Sequence, residues 1–320
     1  MKRVVAIGEL LIDFLPQEKG CALRDVVRFE RRAGGAPANV VTAVSCLGGE
    51  GAMISQVGKD AFGEYILEVL RQNGVDTRYV FQTDRAHTGL AFVSLDAGGD
   101  REFSFFRNPS ADLLLAPEQI EEAMLDNCGT LHFCSVDLVD SPMKQATKEL
   151  IELAKRKQLL ISFDPNVRLP LWNAPEACQS AIREFLPYAD LVKLSDDELE
   201  FVTGCRDDRE AAEMLFRLGC QMLLVTKGAN GSAVYTKNAH ASYGVVAGPV
   251  VDTTGAGDSF IGSFLFQLMR DCVKPDTLEH LDEKKLKDYL RFSAGYAALT
   301  VAKKGAVMAS MNEMIRRNTK

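Results

Sequence analysis

Nowhere does the chain contain a Gly-x-x-x-x-Gly-Lys-[Ser/Thr] run, so a P-loop nucleotide site is excluded. Nor is there a Cys-x-x-Cys. The eight cysteines are scattered without zinc-like pairing and read as the reduced thiols of a cytoplasmic protein. Histidine is scarce, with four residues and no His-Glu-x-x-His pair, which argues against a histidine-centred metal site. No run approaches the roughly 18 uninterrupted apolar residues of a membrane span. The start, Met1 to Ile7, is basic and then apolar like a signal peptide. Glu9 and Asp13 interrupt it and no cleavage-type site follows, so it reads as a first strand. Positive charge is also in deficit. With 37 Lys and Arg against 44 Asp and Glu, the net charge is -7, which argues against a broad nucleic-acid footprint and leaves small-molecule substrates open. Repeats, low-complexity tracts and Pro/Ser-rich linkers are missing too, so the 320 residues are expected to form a single domain.

What the chain does have is Val250-Val251-Asp252-Thr253-Thr254-Gly255-Ala256-Gly257-Asp258-Ser259-Phe260. Upstream, Tyr243 to Val251 is β-branched and apolar and predicts a strand. Downstream, Phe260, Ile261, Phe264, Leu265 and Leu268 fall on one helical face, which puts Gly255, Ala256, Gly257 and Asp258 at a helix N-terminus. Anions bind there, because the first N–H groups lack intrahelical partners and the helix dipole is positive. A carboxylate beside an anion site suits phosphoryl transfer, which needs backbone donors for the transferred group and a base for the attacking hydroxyl. The plainer alternative is that Asp258 caps the helix. A dinucleotide fingerprint would require glycine where Phe260 stands.

Earlier in the chain, Asp13 follows the first strand among apolar residues, a position suited to a polyhydroxy ligand or to a neighbouring loop. In Ala33-Gly34-Gly35-Ala36-Pro37-Ala38-Asn39, Pro37 suits the first turn of a helix, Gly34 and Gly35 bare the backbone, and Asn39 offers a donor and an acceptor. Ala52 to Val57 predicts a strand, and Asp60 caps a predicted helix to Asn73. The β/α alternation is broken by Thr88 to Arg107, read as a hairpin about the turn Asp96-Ala97-Gly98-Gly99-Asp100 and expected to belong to a lid. Arg107 follows as a charge able to reach a substrate. Alternation resumes with strands at 130–135, 159–163 and 191–194 and helices at 141–157 and 174–188, the pattern of a parallel sheet covered by helices. Polar clusters follow the strand ends, where such sheets bind ligands. Arg168 and Lys193 are candidates to neutralise phosphates, Glu198 to hold Mg²⁺ through water, and Lys227 with Gly228 and Gly231 to shape a nucleotide loop. Lys284 to Ala302 predicts a final helix, ended by Lys303-Lys304-Gly305-Ala306.

Taken together, Gly34-Gly35-Ala36-Pro37-Ala38-Asn39 and Asp252-Thr253-Thr254-Gly255-Ala256-Gly257-Asp258 resemble the two signature regions of the ribokinase-like PfkB family of carbohydrate kinases, and the likeness extends over essentially the whole chain. Gly8 to Asp13, Phe106 to Asp112 and Asp164 to Trp172 are most similar to its fructokinases. The resemblance implies a mostly parallel β-sheet flanked by helices on both faces, with a small β-sheet lid from strands roughly within 9–32 and 86–108. It implies Asp258 as the base, with Gly255, Ala256 and Gly257 as the anion hole and Arg168 near the transferred phosphate. It places Asp13, Gly34, Gly35, Asn39, Phe106 and Arg107 on the sugar, and Asn166, Lys193, Thr226, Lys227, Gly228, Gly231 and Gly257 around ATP. Glu198 matches the family's metal motif for Mg²⁺, with Ser195 standing where the family has Asn. Asp252 with Thr254, Ala302 and Gly305 matches a site for a monovalent cation, K⁺.

The expected activity is ATP-dependent phosphorylation of a sugar, D-fructose to fructose 6-phosphate, in the cytoplasm, with neither nucleic acid nor membrane as a partner. Kinases of 2-keto-3-deoxygluconate or of a riboside are the alternatives within the class. A carboxylated substrate would ask for more cationic side chains at the sugar. Outside the class stand a sugar-binding regulatory protein, for which a base at an anion site is of no use, and a nicotinamide-dependent oxidoreductase. A homodimer through the lid strands is a further expectation.

Overall fold

The computed structural model describes residues 1–18, 20–95 and 101–318; the expected turn Asp96 to Asp100 lies outside them. In chain order the first half contains β1 (Arg3–Ile7), β2 (Leu11–Pro16), β3 (Phe29–Gly34), α1 (Ala36–Cys46), β4 (Gly51–Gly58), α2 (Ala61–Gln72), β5 (Asp76–Thr83), β6 (Gly89–Leu95) and β7 (Arg101–Phe106). The second half continues with β8 (Cys128–Cys134), α3 (Pro142–Arg156), β9 (Leu160–Asp164), α4 (Pro175–Phe185), β10 (Leu191–Ser195), α5 (Asp196–Thr203), α6 (Asp208–Arg217) and β11 (Met222–Thr226). It ends with β12 (Ser232–Thr236), β13 (His240–Tyr243), α7 (Ala256–Arg270), α8 (Glu283–Thr300) and α9 (Met311–Asn318).

Nine strands form the main sheet in the order β13-β12-β11-β10-β9-β8-β1-β4-β5. Neighbours are parallel except where β12 meets β11 and β13. Side chains alternate between its faces, as the strand period of two requires. Val4 and Ala6 of β1 join a core with α1, α2, α7 and α8, while Val5 and Ile7 join one with α3, α4 and α6. The helices begin where local chemistry stops the strands. Asp60 accepts hydrogen bonds from the N–H groups of Phe62 and Gly63 at 3.0 and 2.9 Å, a cap contributing on the order of 1 kcal/mol.

The remaining strands make a separate four-stranded sheet, β3-β2-β6-β7. Phe14, Phe29, Phe92 and Phe106 interlock there, Phe14 stacking on Phe92 with centroids 4.7 Å apart. Phe14 also packs edge-on against Phe62 of α2, which seats this sheet on the main body. In register, Asp13 opposes Ala91, and Ala91 opposes Phe105. Asp13 and Phe105 therefore share a sheet row facing away from the interlocked aromatics.

One expected strand is absent. Beyond Tyr243 the chain to Val251 is irregular, and Val245, Val250 and Val251 are more than half exposed. The backbone N–H groups of Val251 and Asp252 bond instead to the Val301 carbonyl, at 2.8 and 3.1 Å. β-branched residues favour a strand only where one is available to pair with them; here the segment has left the sheet edge at β13 to reach the layer of α7 and α8.

Candidate active site

In a parallel sheet the carboxyl ends of the strands open at one edge, and ligands sit where the strand order reverses. That point lies between β1 and β8: β1 is flanked by β4 on one side and β8 on the other. A cavity of about 250 Å³ opens here. Its floor is built from Glu9 after β1, Val136 after β8, Asn166 and Arg168 after β9, and Lys193 and Ser195 of β10. Leu11, Asp13 and Phe105 of the small sheet cover one side, and Thr253 to Asp258 close another. A larger concavity, about 740 Å³, lies beside Lys2, Gly129 and Leu159, at the amino ends of β1, β8 and β9, away from the strand ends that carry the motifs.

Gly255 caps α7 with φ at +73°, and a Cβ built on it would lie 2.7 Å from the Ala306 methyl, so the turn needs glycine twice over. Asp258 sits in the first turn that follows. Its carboxylate accepts a 2.8 Å hydrogen bond from Asn39 Nδ2, whose residue lies in the first turn of α1. Burial raises the Asp258 carboxyl above the usual range, while Asn39, Lys193 and Arg168 pull it back. Lys193 Nζ lies 3.0 Å from Asp164 Oδ2, and a Cβ on Gly257 would be 3.1 Å from the same ammonium. Burial works against the charge on Lys193, but Asp164, Glu198 and Asp258 together hold it above its ordinary value. Three carboxylates thus share one buried ammonium at a helix N-terminus, and burial pushes Asp164 up to about 7 despite that ion pair. Glu198 accepts from the N–H groups of Val167 and Ser195 at 2.6 and 2.9 Å.

The cavity brings together most of the residues singled out from sequence: Asp13, Gly35, Asn39, Asn166, Arg168, Lys193, Ser195, Glu198, Thr254 and the run Gly255 to Asp258. Gly34 stands behind it, where a Cβ would fall 2.3 Å from Asp13 Oδ2. Thr226, Lys227, Gly228 and Gly231 lie at the end of β11, one strand beyond Ser195, with which Thr226 is in register. Lys227 there pairs with Asp208 at 2.5 Å. Asp252 lies outside the lining; it accepts from Thr254 and, at 2.9 Å, from the Gly305 N–H, so the loop with Ala302 and Gly305 is stitched to the motif.

Besides Gly34, two of the residues expected on the sugar stand outside the cavity lining. Arg107 does not reach into the cavity. It is buried, and its guanidinium is held between Asp112 and Asp137, because a desolvated cation is stable only with its counterions. Phe106 is 62% exposed on the interlocked aromatic face, and its neighbour Phe105 faces the cavity instead. Strand alternation, counted from Asp13 across the hairpin register, is the signal that selects Phe105. Glu9, Leu171 and Val136 were not singled out from sequence; Glu9 has the same mark as Asp13, an acid among apolar residues after the first strand.

A carboxylate at a helix N-terminus, a buried ammonium beside it and a small sheet over the cavity suit phosphoryl transfer to a small hydroxylated substrate. The sequence model of the pfkB family carbohydrate kinases matches residues 1–313, and the chain belongs to that family: it is a carbohydrate kinase. It is 42% identical over 307 residues to fructokinase-2 of Solanum lycopersicum, covering 96% of this chain and 92% of that one. A fructokinase from Xylella fastidiosa with bound ATP superposes with a TM-score of 0.89 at 32% identity, covering 99% and 98% of the two chains. A fructokinase from Vibrio cholerae O395 in a fructose-, ADP- and calcium-bound form gives 0.86 at 30% identity, covering 99% and 98%. No helix among the described residues is long and apolar enough to cross a membrane.

Proposed function

We propose that the enzyme transfers the γ-phosphoryl group of ATP to D-fructose, giving fructose 6-phosphate. The observation that carries this reading is the placement of Asp258 at the amino end of α7, hydrogen-bonded to Asn39 and sharing one cavity with Asp13. Asp258 takes the proton of the attacking hydroxyl. Backbone N–H groups of the first turn of α7 donate to the phosphoryl oxygens, and Lys193 and Arg168 oppose their charge. Asp13 and Gly35 face the sugar, with Leu11 and Phe105 excluding water above it. Asn166, Lys193, Thr226, Lys227, Gly228, Gly231 and Gly257 take the nucleotide, whose phosphates lie toward Gly257. The fructokinase relatives, one of them solved with fructose and ADP, favour fructose. So does the capture of Arg107 by Asp112 and Asp137, which removes the cation that a carboxylated sugar would seek.

The donor set fits a hydrated divalent cation. Two N–H groups occupy part of the acceptor capacity of the Glu198 carboxylate, and its remaining lone pairs suit Mg²⁺-bound water. Such an ion neutralises phosphate charge when it is bound with the nucleotide. For K⁺, the contiguity of Asp252, Thr254, Ala302 and Gly305 supports a site built from oxygens of these two loops. The free cysteines fit a cytoplasmic enzyme, and the exposed Phe106 on a sheet with β3 and β7 at its edges supports a homodimer through the lid.

ADP release from Mg-ATP, measured across fructose, ribose, 2-keto-3-deoxygluconate, adenosine and aminoimidazole riboside, tests the assignment. Fructose is expected to dominate. A different dominant substrate would discard fructose and keep the chemistry; silence across the panel from folded, ATP-binding protein would point to a substrate outside the panel or to a sugar-binding regulatory protein.

A further inference from the structure

At the amino ends of β1, β8 and β9 the sheet opens into the concavity of about 740 Å³ that lies away from the catalytic cavity. A volume of this size falls in the range of about 300–1,000 Å³ that holds small-molecule ligands, and no step of phosphoryl transfer uses it. Its floor is apolar, with Leu159, Ile161, Met269 and Val273. Around the floor stand four ammonium groups, those of Lys2, Lys155, Lys157 and Lys274, against two carboxylates, those of Asp190 and Asp276. In a chain of net charge -7 this local excess is opposite in sign to the whole.

The partners of these groups decide what the concavity can hold. Lys155 and Lys157 stand at the end of α3, where lysine answers the negative end of the helix dipole. Lys157 also pairs with Glu122 at 2.6 Å, and Lys155 lies over the Tyr188 ring, 4.9 Å from its centroid. Asp190 is occupied too, accepting from the Ile161 N–H at 2.8 Å and from Gln221 Nε2 at 3.4 Å. Lys2 and Lys274 lie in no helix and enter no ion pair among the described residues. The acid left to oppose them is Asp276, exposed in the first turn of the short helix Pro275–His280.

Local packing builds the rim. A Cβ on Gly129 would lie 2.4 Å from Met269 Sδ and 2.9 Å from Lys2 Cβ, so bare backbone at this point of β8 lets Met269 and the Lys2 stem close over it. Gln158 and Cys272 each follow a helix end, with φ at 55° and 56°, in the position that favours glycine. Both nevertheless carry side chains, and both line the concavity.

We propose that this concavity is a second ligand site, for a phosphate-bearing small molecule held through its phosphate by Lys2 and Lys274, with its carbon body on Leu159, Ile161 and Val273. The cations present argue for phosphate over carboxylate. All four are lysines, point charges that suit a phosphate, and no arginine fork lines the site to match a planar carboxylate. The apolar floor favours a phosphate ester over inorganic phosphate. The site stands at the opposite strand ends from Asp258, so it does not rest on fructose as the substrate or on Asp258 as the base.

Cys272 supplies a local reporter, because its thiol is exposed while the other seven cysteines are buried or half-buried. Alkylation of Cys272 by iodoacetamide in the full-length enzyme, read by peptide mass spectrometry, is followed with AMP, fructose 1,6-bisphosphate, inorganic phosphate or citrate present. One of the two esters should slow the reaction saturably, by about tenfold at about ten times its Kd, with inorganic phosphate weaker. Stronger protection by AMP would identify a nucleotide site, and stronger protection by the bisphosphate a sugar-phosphate site. K2Q/K274Q should raise that Kd by about tenfold or more and leave kcat and the KM values for ATP and fructose unchanged. Both lysines are exposed, so the double variant is expected to fold; K274Q alone serves if it does not. Calorimetric titration of the same ester into enzyme saturated with fructose and ADP should return the same Kd without use of the thiol. Absence of both protection and binding heat with either ester, or protection that persists undiminished in the variants, would overturn the site. Citrate protecting better than both esters would overturn the phosphate class.

Discussion

Asn39 Nδ2 donates a 2.8 Å hydrogen bond to Asp258 Oδ2 across 219 residues of sequence, joining the first turn of α1 to the first turn of α7. The bond favours the ionised carboxylate, the form a base must have. Because burial raises the Asp258 carboxyl and Asn39 lowers it, N39A should shift the acid limb of kcat/KM to higher pH. An acid limb at the wild-type position in N39A would show that this bond does not set the base.

Asp258→Asn keeps the shape of the site and removes the proton acceptor. Turnover should fall by about 10²- to 10⁴-fold, the usual worth of a general base, while the Kd for sugar measured by calorimetry changes little. Near-normal turnover would end the assignment of Asp258 as the base.

Arg107→Met should act on stability more than on substrate. It leaves Asp112 and Asp137 buried without their cation, and breaking a buried ion pair from one side costs roughly 3–5 kcal/mol. Urea unfolding reads this as a lower midpoint. A variant of wild-type midpoint with a raised sugar KM would instead restore Arg107 to the substrate.

Gly255→Ala forces a side chain into a φ of +73° and into contact with Ala306. Strain of this kind costs on the order of 1–3 kcal/mol, relieved only by moving the first turn of α7. The kcat should drop together with the thermal midpoint, and a fully active G255A of unchanged midpoint would contradict the tightness of this turn.

Asp164 yields a stability prediction with a definite sign. Its carboxyl is raised in the folded protein to about 7, against about 4 in an unfolded chain. The folded state therefore binds more protons between these values, and this group's contribution, complete below about pH 4, is lost as pH rises toward about 7. The unfolding midpoint of D164N, compared with wild type across that window, should decline less steeply; parallel curves would argue against it.

Elements with a local cause were legible in the sequence. The cap at Asp60 and the glycine turn before α7 are written in adjacent residues, and both recur where the spacing placed them. Tyr243 to Val251 misled because β-branching reports a preference, and pairing partners decide whether it is met. Arg107 misled for a related reason. Of its two partners Asp112 lies 5 residues on and Asp137 lies 30 residues away, and no local pattern distinguishes a captured cation from one that awaits a substrate.

By itself the sequence determined the kind of chemistry and its main instruments: glycines at a helix start, an acid within that first turn, and strand-end clusters that a parallel sheet must bring to one edge. Those follow from short-range sterics and from periodicity, which few residues suffice to specify. Only the tertiary structure decided which of these groups meet. It aimed Asn39 at Asp258, turned Phe105 rather than Phe106 toward the cavity, and gathered Asp112 and Asp137 around Arg107. Burial and long-range proximity set the charge state of each acid, and neither quantity exists until the chain has closed on itself.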